Sequence, residues 1–214
     1  MDVEPLFADR RAAGHALAGA LNDLAGRDDV IVLGLPRGGV AVGAEVARAL
    51  GAPLDVAVVR KLGVPGAEEL ALGALAFGGV AVYNPDVIAE LGIPPAMIEA
   101  VVERERTELA RREQLYRAGR QPLALGGKTV VLVDDGLATG ATMLAAIAAV
   151  RTQHPAQVVV GVPLAAPVTC AIVGRAADRT VCLRTPEPFR GVGAWYANFG
   201  QLSDDTVRLL LASG

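Results

Sequence analysis

Five short apolar runs constrain this chain more than any other feature: VIVLGL at Val30–Leu35, LDVAVV at Leu54–Val59, TVVLVDD at Thr129–Asp135, QVVVGVPLA from Gln157, and RTVCLR at Arg179–Arg184. Their apolar residues run on rather than alternate, so each run must be buried on both faces, as in a parallel sheet covered by helices. Between and around them, Asp9–Leu24, Gly39–Leu50 (closed by Gly51), Ala141–Thr152, Pro167–Ala176 and Ser203–Leu211 read as helices. Strand, helix and strand in succession imply parallel pairing through right-handed crossovers. The expected fold is α/β, a doubly wound parallel sheet in one domain over 1–214. Hydrophobic residues make up 52% of the chain but aromatics only 4%, so Ala, Val, Leu and Ile must fill the core.

The remaining segments are read as appendages. Residues 61–84 are rich in glycine and hold Pro65, which predicts a flexible loop and short hairpin with VAVYN as a further strand. Pro94–Arg117 predicts one long helix whose alternating charges give a solvated face, and the family resemblance set out below implies a homodimer in which it is a candidate contact. Residues 185–214 form a tail that carries FRGVGAWYANFG and the only tryptophan. A net charge of −3 and a pI near 5.4 leave no basic field for nucleic acid. The N-terminal residues show no signal-peptide pattern and no apolar run reaches membrane-spanning length, so a cytoplasmic protein without a membrane partner is expected. Cys170 and Cys182 lack metal-ligand spacing and read as buried thiols.

In an open α/β sheet, ligands bind outside the carboxyl ends of the strands. Three of those ends carry unusual residues: Pro36-Arg37-Gly38-Gly39, Arg60-Lys61 and Asp134-Asp135. The strongest motif is VVLVDDGLATGAT, where an apolar strand stops on two acids and a loop of small and hydroxyl residues opens a helix. A phosphate needs backbone N–H donors, close approach and a helix N-terminus. Gly140 permits the approach, and Thr139 and Thr142 add hydroxyl donors. The two aspartates cannot bind phosphate themselves but suit diol hydroxyls or a magnesium ion, and a phosphorylated sugar presents both. Leu35–Gly39 combines a strand end, a cation and two glycines, which alone reads either as an ordinary strand-to-helix turn with a surface arginine or as a compact anion loop. GGKT at Gly126–Thr129 resembles the end of a Walker A loop but precedes a strand and has Pro122 where the upstream glycine belongs.

VVLVDDGLATGAT resembles the PRPP-binding signature of the type I phosphoribosyltransferases, whose strand and helix order is compatible with most of the chain. The resemblance implies that Asp134 and Asp135 hold the ribose 2′ and 3′ hydroxyls. It implies that Ala138, Thr139, Gly140, Ala141 and Thr142 cradle the 5′-phosphate of 5-phosphoribosyl-1-pyrophosphate (PRPP). Pro36, Arg37, Gly38 and Gly39 match the family's pyrophosphate loop, which often contains a non-proline cis peptide, here between Pro36 and Arg37. Arg60 and Lys61 match a mobile loop that closes over the pyrophosphate, with Glu68 and Glu69 as candidate catalytic or merely solvated acids. The tail matches a variable hood, in which Trp195 or Tyr196 would stack on a base or else pin the tail to the sheet. GLATGAT is especially similar to adenine phosphoribosyltransferases, whereas Ala138 stands where hypoxanthine-guanine enzymes carry an aspartate.

The implied activity is transfer of the 5-phosphoribosyl group from PRPP to a nitrogen acceptor, a nucleobase by preference, with Mg2+ as cofactor held at Asp134 and Asp135. Two rivals stand beside it: a PRPP sensor without turnover, and a hydrolase that passes the sugar to water.

Overall fold

The computed structural model describes residues 4–213. The side chains of Glu68 and Glu69 lie outside what it describes, and with them the choice between a catalytic and a solvated role for either acid.

Helix α1 (Arg10–Ala20) opens the domain, its N-terminus capped by the Asp9 carboxylate, which accepts from the Ala12 N–H. Strand β1 (Val30–Gly34) and helix α2 (Gly38–Leu50) follow, and α2 stops at Gly51 in the left-handed conformation. Strand β2 (Leu54–Val56) is shorter than the run Leu54–Val59 predicts. Gly34 and Val56 are its last registered pair with β1, and the Val56 carbonyl turns to accept from Arg117 instead of continuing a ladder. Strands β3 (Val59–Val64), β4 (Ala67–Ala76) and β5 (Val80–Tyr83) form an antiparallel sheet of their own. This is more than a loop with a short hairpin, because Leu62, Leu72, Leu75 and Phe77 are all buried. A short helix α3 (Pro85–Glu90), which the sequence reading does not foresee, leads into the long helix α4 (Pro95–Arg117). The rest follows the expected order: β6 (Thr129–Val133), α5 (Ala141–Arg151), β7 (Gln157–Leu164), α6 (Pro167–Ala176), β8 (Arg179–Arg184) and α7 (Asp204–Ala212).

The main sheet has the order β2-β1-β6-β7-β8 with every pairing parallel. Alternate residues of its strands feed two cores. Val30, Val32, Val131, Val133 and Val159 pack with α1, α2, α4 and α7, while Ile31, Leu33, Val130, Leu132 and Val160 pack with α5 and α6. Aliphatic side chains carry both cores, each fully buried Leu or Val contributing about 1.5–3 kcal/mol. The antiparallel sheet is covered in the same way, with Leu62 and Leu75 in the first core and Ala74 and Ala76 in the second. A buried ion pair ties the end of α4 to β2: Arg117 Nε donates to Asp55 Oδ1 at 3.1 Å, and the same carboxylate accepts from the Leu123 N–H. No helix among the described residues is long and apolar enough to cross a membrane.

Cys170 and Cys182 are not the separate buried thiols that their apolar surroundings predict. They form a disulfide between α6 and β8, with Cα atoms 6.6 Å apart, because the helix folds back over the strand that follows it.

The strand order also locates the crevice. From β1 the chain moves outward to β2, then returns to place β6 on the other side of β1. The loops after β1 and β6 therefore leave the sheet in opposite directions at the point where such folds bind ligands.

Candidate functional site

The two motif-bearing loops meet at that point. Gly34 and Val133 are the last registered pair of β1 and β6, and the Leu35 N–H donates to the Val133 carbonyl at 2.9 Å. Beyond them the loops press together so closely that two positions admit no side chain. A Cβ on Gly38 would overlap the Asp135 carboxylate, and one on Gly39 would lie 2.5 Å from the Val133 carbonyl oxygen and 2.8 Å from Asp134 Cα. The two glycines of LPRGG thus fit against the two aspartates. The peptide between Pro36 and Arg37 is cis, as the resemblance implies.

The helices that start at these loops differ from the others. Helices α1, α3 and α7 are capped by the side chains of Asp9, Asn84 and Ser203, and α4 and α6 begin with proline. Among the described residues α2 and α5 have neither a side-chain cap nor a proline in the first turn, so their first backbone N–H groups are open to water or a ligand. The N-cap of α5 is Gly140, held at φ +77 with Thr169 Cγ2 in the way of any Cβ. Thr169 Oγ1 donates to the Ala138 carbonyl at 2.6 Å and fixes the same loop from α6. Ala138, Thr139, Ala141 and Thr142 are exposed at its surface.

The acids are held unequally. Asp134 Oδ1 accepts from the Asp135 N–H at 2.8 Å, and its carboxyl is pushed well above the usual range, first by burial and then by the charge of Asp135. Asp135 is also raised by burial, but Arg10 beside it pulls in the other direction. Arg10 Nε donates to Asp135 Oδ2 at 2.7 Å, its NH1 donates to the Gly200 carbonyl at 2.9 Å, and its guanidinium lies 3.8 Å over the Phe199 ring. Sequence reasoning missed Arg10, which belongs to no motif.

The other expected contacts are distributed differently. Arg37 stands half-exposed at the mouth of the site with NH1 3.9 Å from Asp204 Oδ1, an oxygen that also accepts from the Tyr116 hydroxyl. Arg60 donates through Nε and NH2 to Glu105 on α4, at 2.9 and 2.7 Å, so its fork is already engaged there. Lys61 is exposed on β3.

Trp195 and Tyr196, which the resemblance offers either as rings that stack on a base or as a pin between tail and sheet, are 8% and 5% exposed. They pack with Leu164, Phe7 and Phe199, and the Tyr196 hydroxyl donates to the Asp135 carbonyl at 2.6 Å. These contacts hold the tail against the sheet. An open cavity of about 260 Å³ is instead lined by Arg10, Arg37, Gly38, Phe199, Gln201 and Leu202. Among the described residues no group of three or more His, Cys, Asp or Glu could hold a metal ion by itself.

Two Mycobacterium tuberculosis proteins that carry a phosphoribosyl transferase designation, MT0597 (strain CDC 1551 / Oshkosh) and Rv0571c (strain ATCC 25618 / H37Rv), are each 48% identical over 202 residues. The match takes in 94% of this chain but 45% of theirs, so the chain spans less than half the length of these relatives. The crystal structure of TT1426 from Thermus thermophilus is 45% identical, with a TM-score of 0.84 over 97% of this chain and 98% of that one. The family model described as phosphoribosyl transferase domain matches residues 66–173, which include the acid pair and the loop to Thr142. The chain belongs to the phosphoribosyl transferase domain family.

Proposed function

We propose that this domain, read as one unit over 1–214 with the β3–β5 sheet in place of a loop over 61–84 and with 185–214 as a hood, transfers the 5-phosphoribosyl group of PRPP to a nitrogen acceptor, a nucleobase by preference. The observation that carries the reading is the pair of uncapped helix N-termini on either side of two carboxylates at the crossover point. PRPP has a phosphate at one end, a diphosphate at the other and a diol between them, and this arrangement offers a complement to each. Ala138–Thr142 and the first turn of α5 would take the 5′-phosphate, Asp134 and Asp135 the ribose hydroxyls, and Pro36–Gly39 with the first turn of α2 the diphosphate. Each charge-assisted hydrogen bond to these groups contributes about 1.5–3 kcal/mol.

In the transfer the acceptor nitrogen forms a bond to C1 of the ribose as the C1–O bond to diphosphate breaks, and the nitrogen loses its proton. Positive charge develops on the ring, next to the Asp134–Asp135 pair, and negative charge grows on the leaving group, next to Arg37. Two carboxylates are too few to enclose a magnesium ion, but they fit its habit of binding through one or two protein acids and the substrate's own phosphate oxygens. Bound there, the ion would neutralise diphosphate charge.

A sensor without turnover is the second reading, favoured by the engagement of Arg37 near Asp204 and of Arg60 with Glu105. One measurement separates the two. Pyrophosphate release is followed with PRPP, magnesium and a panel of bases, for the wild type and Arg37→Ala. In a transferase the arginine contributes most as the diphosphate leaves, so Arg37→Ala lowers the rate roughly a hundredfold, about 3 kcal/mol, with a smaller loss of PRPP affinity. Tight PRPP binding without pyrophosphate release from any acceptor, and an Arg37→Ala effect confined to affinity, would establish the sensor instead.

A further inference from the structure

We infer that Arg10 is a positioning residue: it fixes Asp135 and locks the aromatic tail to that acid, so that the acid pair and the hood over it behave as one unit. The inference rests on the reading of the acid pair as the ribose site. Its basis is a closed ring of contacts. The Arg10 guanidinium holds the Asp135 carboxylate at 2.7 Å and lies on Phe199; Phe199 stacks on Tyr196 with ring centroids 5.0 Å apart; and the Tyr196 hydroxyl returns to the Asp135 carbonyl at 2.6 Å. The third group of that residue, its N–H, donates to Asp134. Side chain, carbonyl and amide of Asp135 are therefore each fixed by a different neighbour.

Arg10 suits this place because its planar fork serves three partners at once, the carboxylate, the Gly200 carbonyl and the ring face, and lysine cannot. The pair is also largely shielded, with 12% of the Arg10 side chain and 15% of the Asp135 side chain exposed, so water screens it only partly. The absence of a side chain at Gly38 leaves the room that the carboxylate fills. A carboxylate held in one position meets the ribose hydroxyls without having to be ordered first, which is the physical content of preorganisation.

Arg10 also borders open space. One cavity of about 260 Å³ and another of about 300 Å³ are both lined by Arg10. Truncation at this position should therefore leave a channel through which a free guanidinium ion can reach Asp135.

The test measures PRPP affinity in the presence of magnesium, pyrophosphate release and melting temperature for wild type, Arg10→Ala and Arg10→Lys, with and without added guanidinium at non-denaturing concentration. Arg10→Ala is expected to weaken PRPP binding tenfold or more, Arg10→Lys to recover only part of it, and guanidinium to restore affinity in the alanine variant without affecting wild type. A merely structural arginine would lower the melting temperature of Arg10→Ala without any guanidinium rescue of affinity, and that result overturns the inference. Wild-type affinity in folded Arg10→Ala overturns it as well and leaves the transferase reading standing. A wild type that binds no PRPP takes down that reading, and this role of Arg10 falls with it.

Discussion

The acid pair is held from two sides that differ in kind. On one side, the loops after β1 and β6 are continuous stretches whose adjacent residues meet each other, Gly38 and Gly39 against Asp135 and Asp134. On the other side, Arg10, Tyr196, Phe199 and Gly200 reach the same acids from the first helix and the tail, with Arg10 separated from Asp135 by 125 positions and from Gly200 by 190. The first side excludes atoms, since nothing larger than hydrogen fits where the glycines stand. The second side supplies them, as a cation, two rings and a hydroxyl. Close approach leaves a local signature in sequence, because only glycine permits it, whereas a bond between distant residues leaves none.

That difference explains what was legible. The strand and helix order, the parallel sheet and the glycine-acid loops could be read because burial on both faces and tight turns restrict residue choice locally. The bounds of α6 and β8 match the reading residue for residue. The β3–β5 sheet was under-read because glycines at 63, 66, 73, 78 and 79 resemble a loop, while its stability comes from Leu62, Leu72 and Leu75 packing under α4. Trp195 and Tyr196 stood out by type but not by position, and only the packing shows them facing inward. Arg10 was invisible for the same reason that it is effective, since its partners are far away in the chain.

The sharpest way to break the comparison is to add one carbon on the motif side. Gly39→Ala would place a Cβ 2.5 Å from the Val133 carbonyl oxygen, and backbone atoms on both sides cannot step aside as a side chain can. Overpacking of this kind costs about 3 kcal/mol, so a large fall in the denaturation midpoint and loss of PRPP binding are expected. Gly38→Ala displaces the carboxylate of Asp135 and costs its contact with Arg10, but a side chain gives way more readily than backbone, so it should affect stability less than Gly39→Ala. Equal costs for the two variants in chemical denaturation would show that the difference between backbone and side-chain contact does not matter here.

A smaller change tests the side without motifs. Tyr196→Phe removes one hydroxyl and leaves the Asp135 carbonyl without its donor at 2.6 Å. The expected loss is about 1 kcal/mol, the usual net value of such a bond, with the aromatic stack retained. Burial and the charge of Asp135 both raise the pKa of this hydroxyl, so it remains a donor throughout the working range of pH. If Tyr196→Phe is as stable as wild type in denaturant titration, the tail does not hold the acid, and the two-sided account reduces to the glycine loops alone.

The smallest effect has the opposite sign and concerns Asp134 itself. Asp134→Asn keeps an oxygen to accept from the Asp135 N–H and removes only the ability to carry charge. In the folded protein the Asp134 carboxyl is pushed well above its ordinary value, by burial first and by the charge of Asp135 second, so the fold favours its protonated form. In the unfolded chain an aspartate loses its proton near pH 4. A group whose folded pKa is raised contributes stability that is present below the unfolded value and is lost as pH rises through the folded one. Wild type therefore becomes progressively weaker than Asp134→Asn above about pH 4, where the unfolded aspartate ionises, while the asparagine variant has nothing to lose. In magnesium-free buffer the melting temperature of Asp134→Asn should exceed that of wild type at pH 7 by roughly a few degrees, and the gap should close towards pH 4. With PRPP and magnesium added the ranking should reverse, because ligand stabilises only the protein that binds it. A variant that is less stable than wild type at pH 7 without ligand would mean that the fold does not oppose the charge on Asp134.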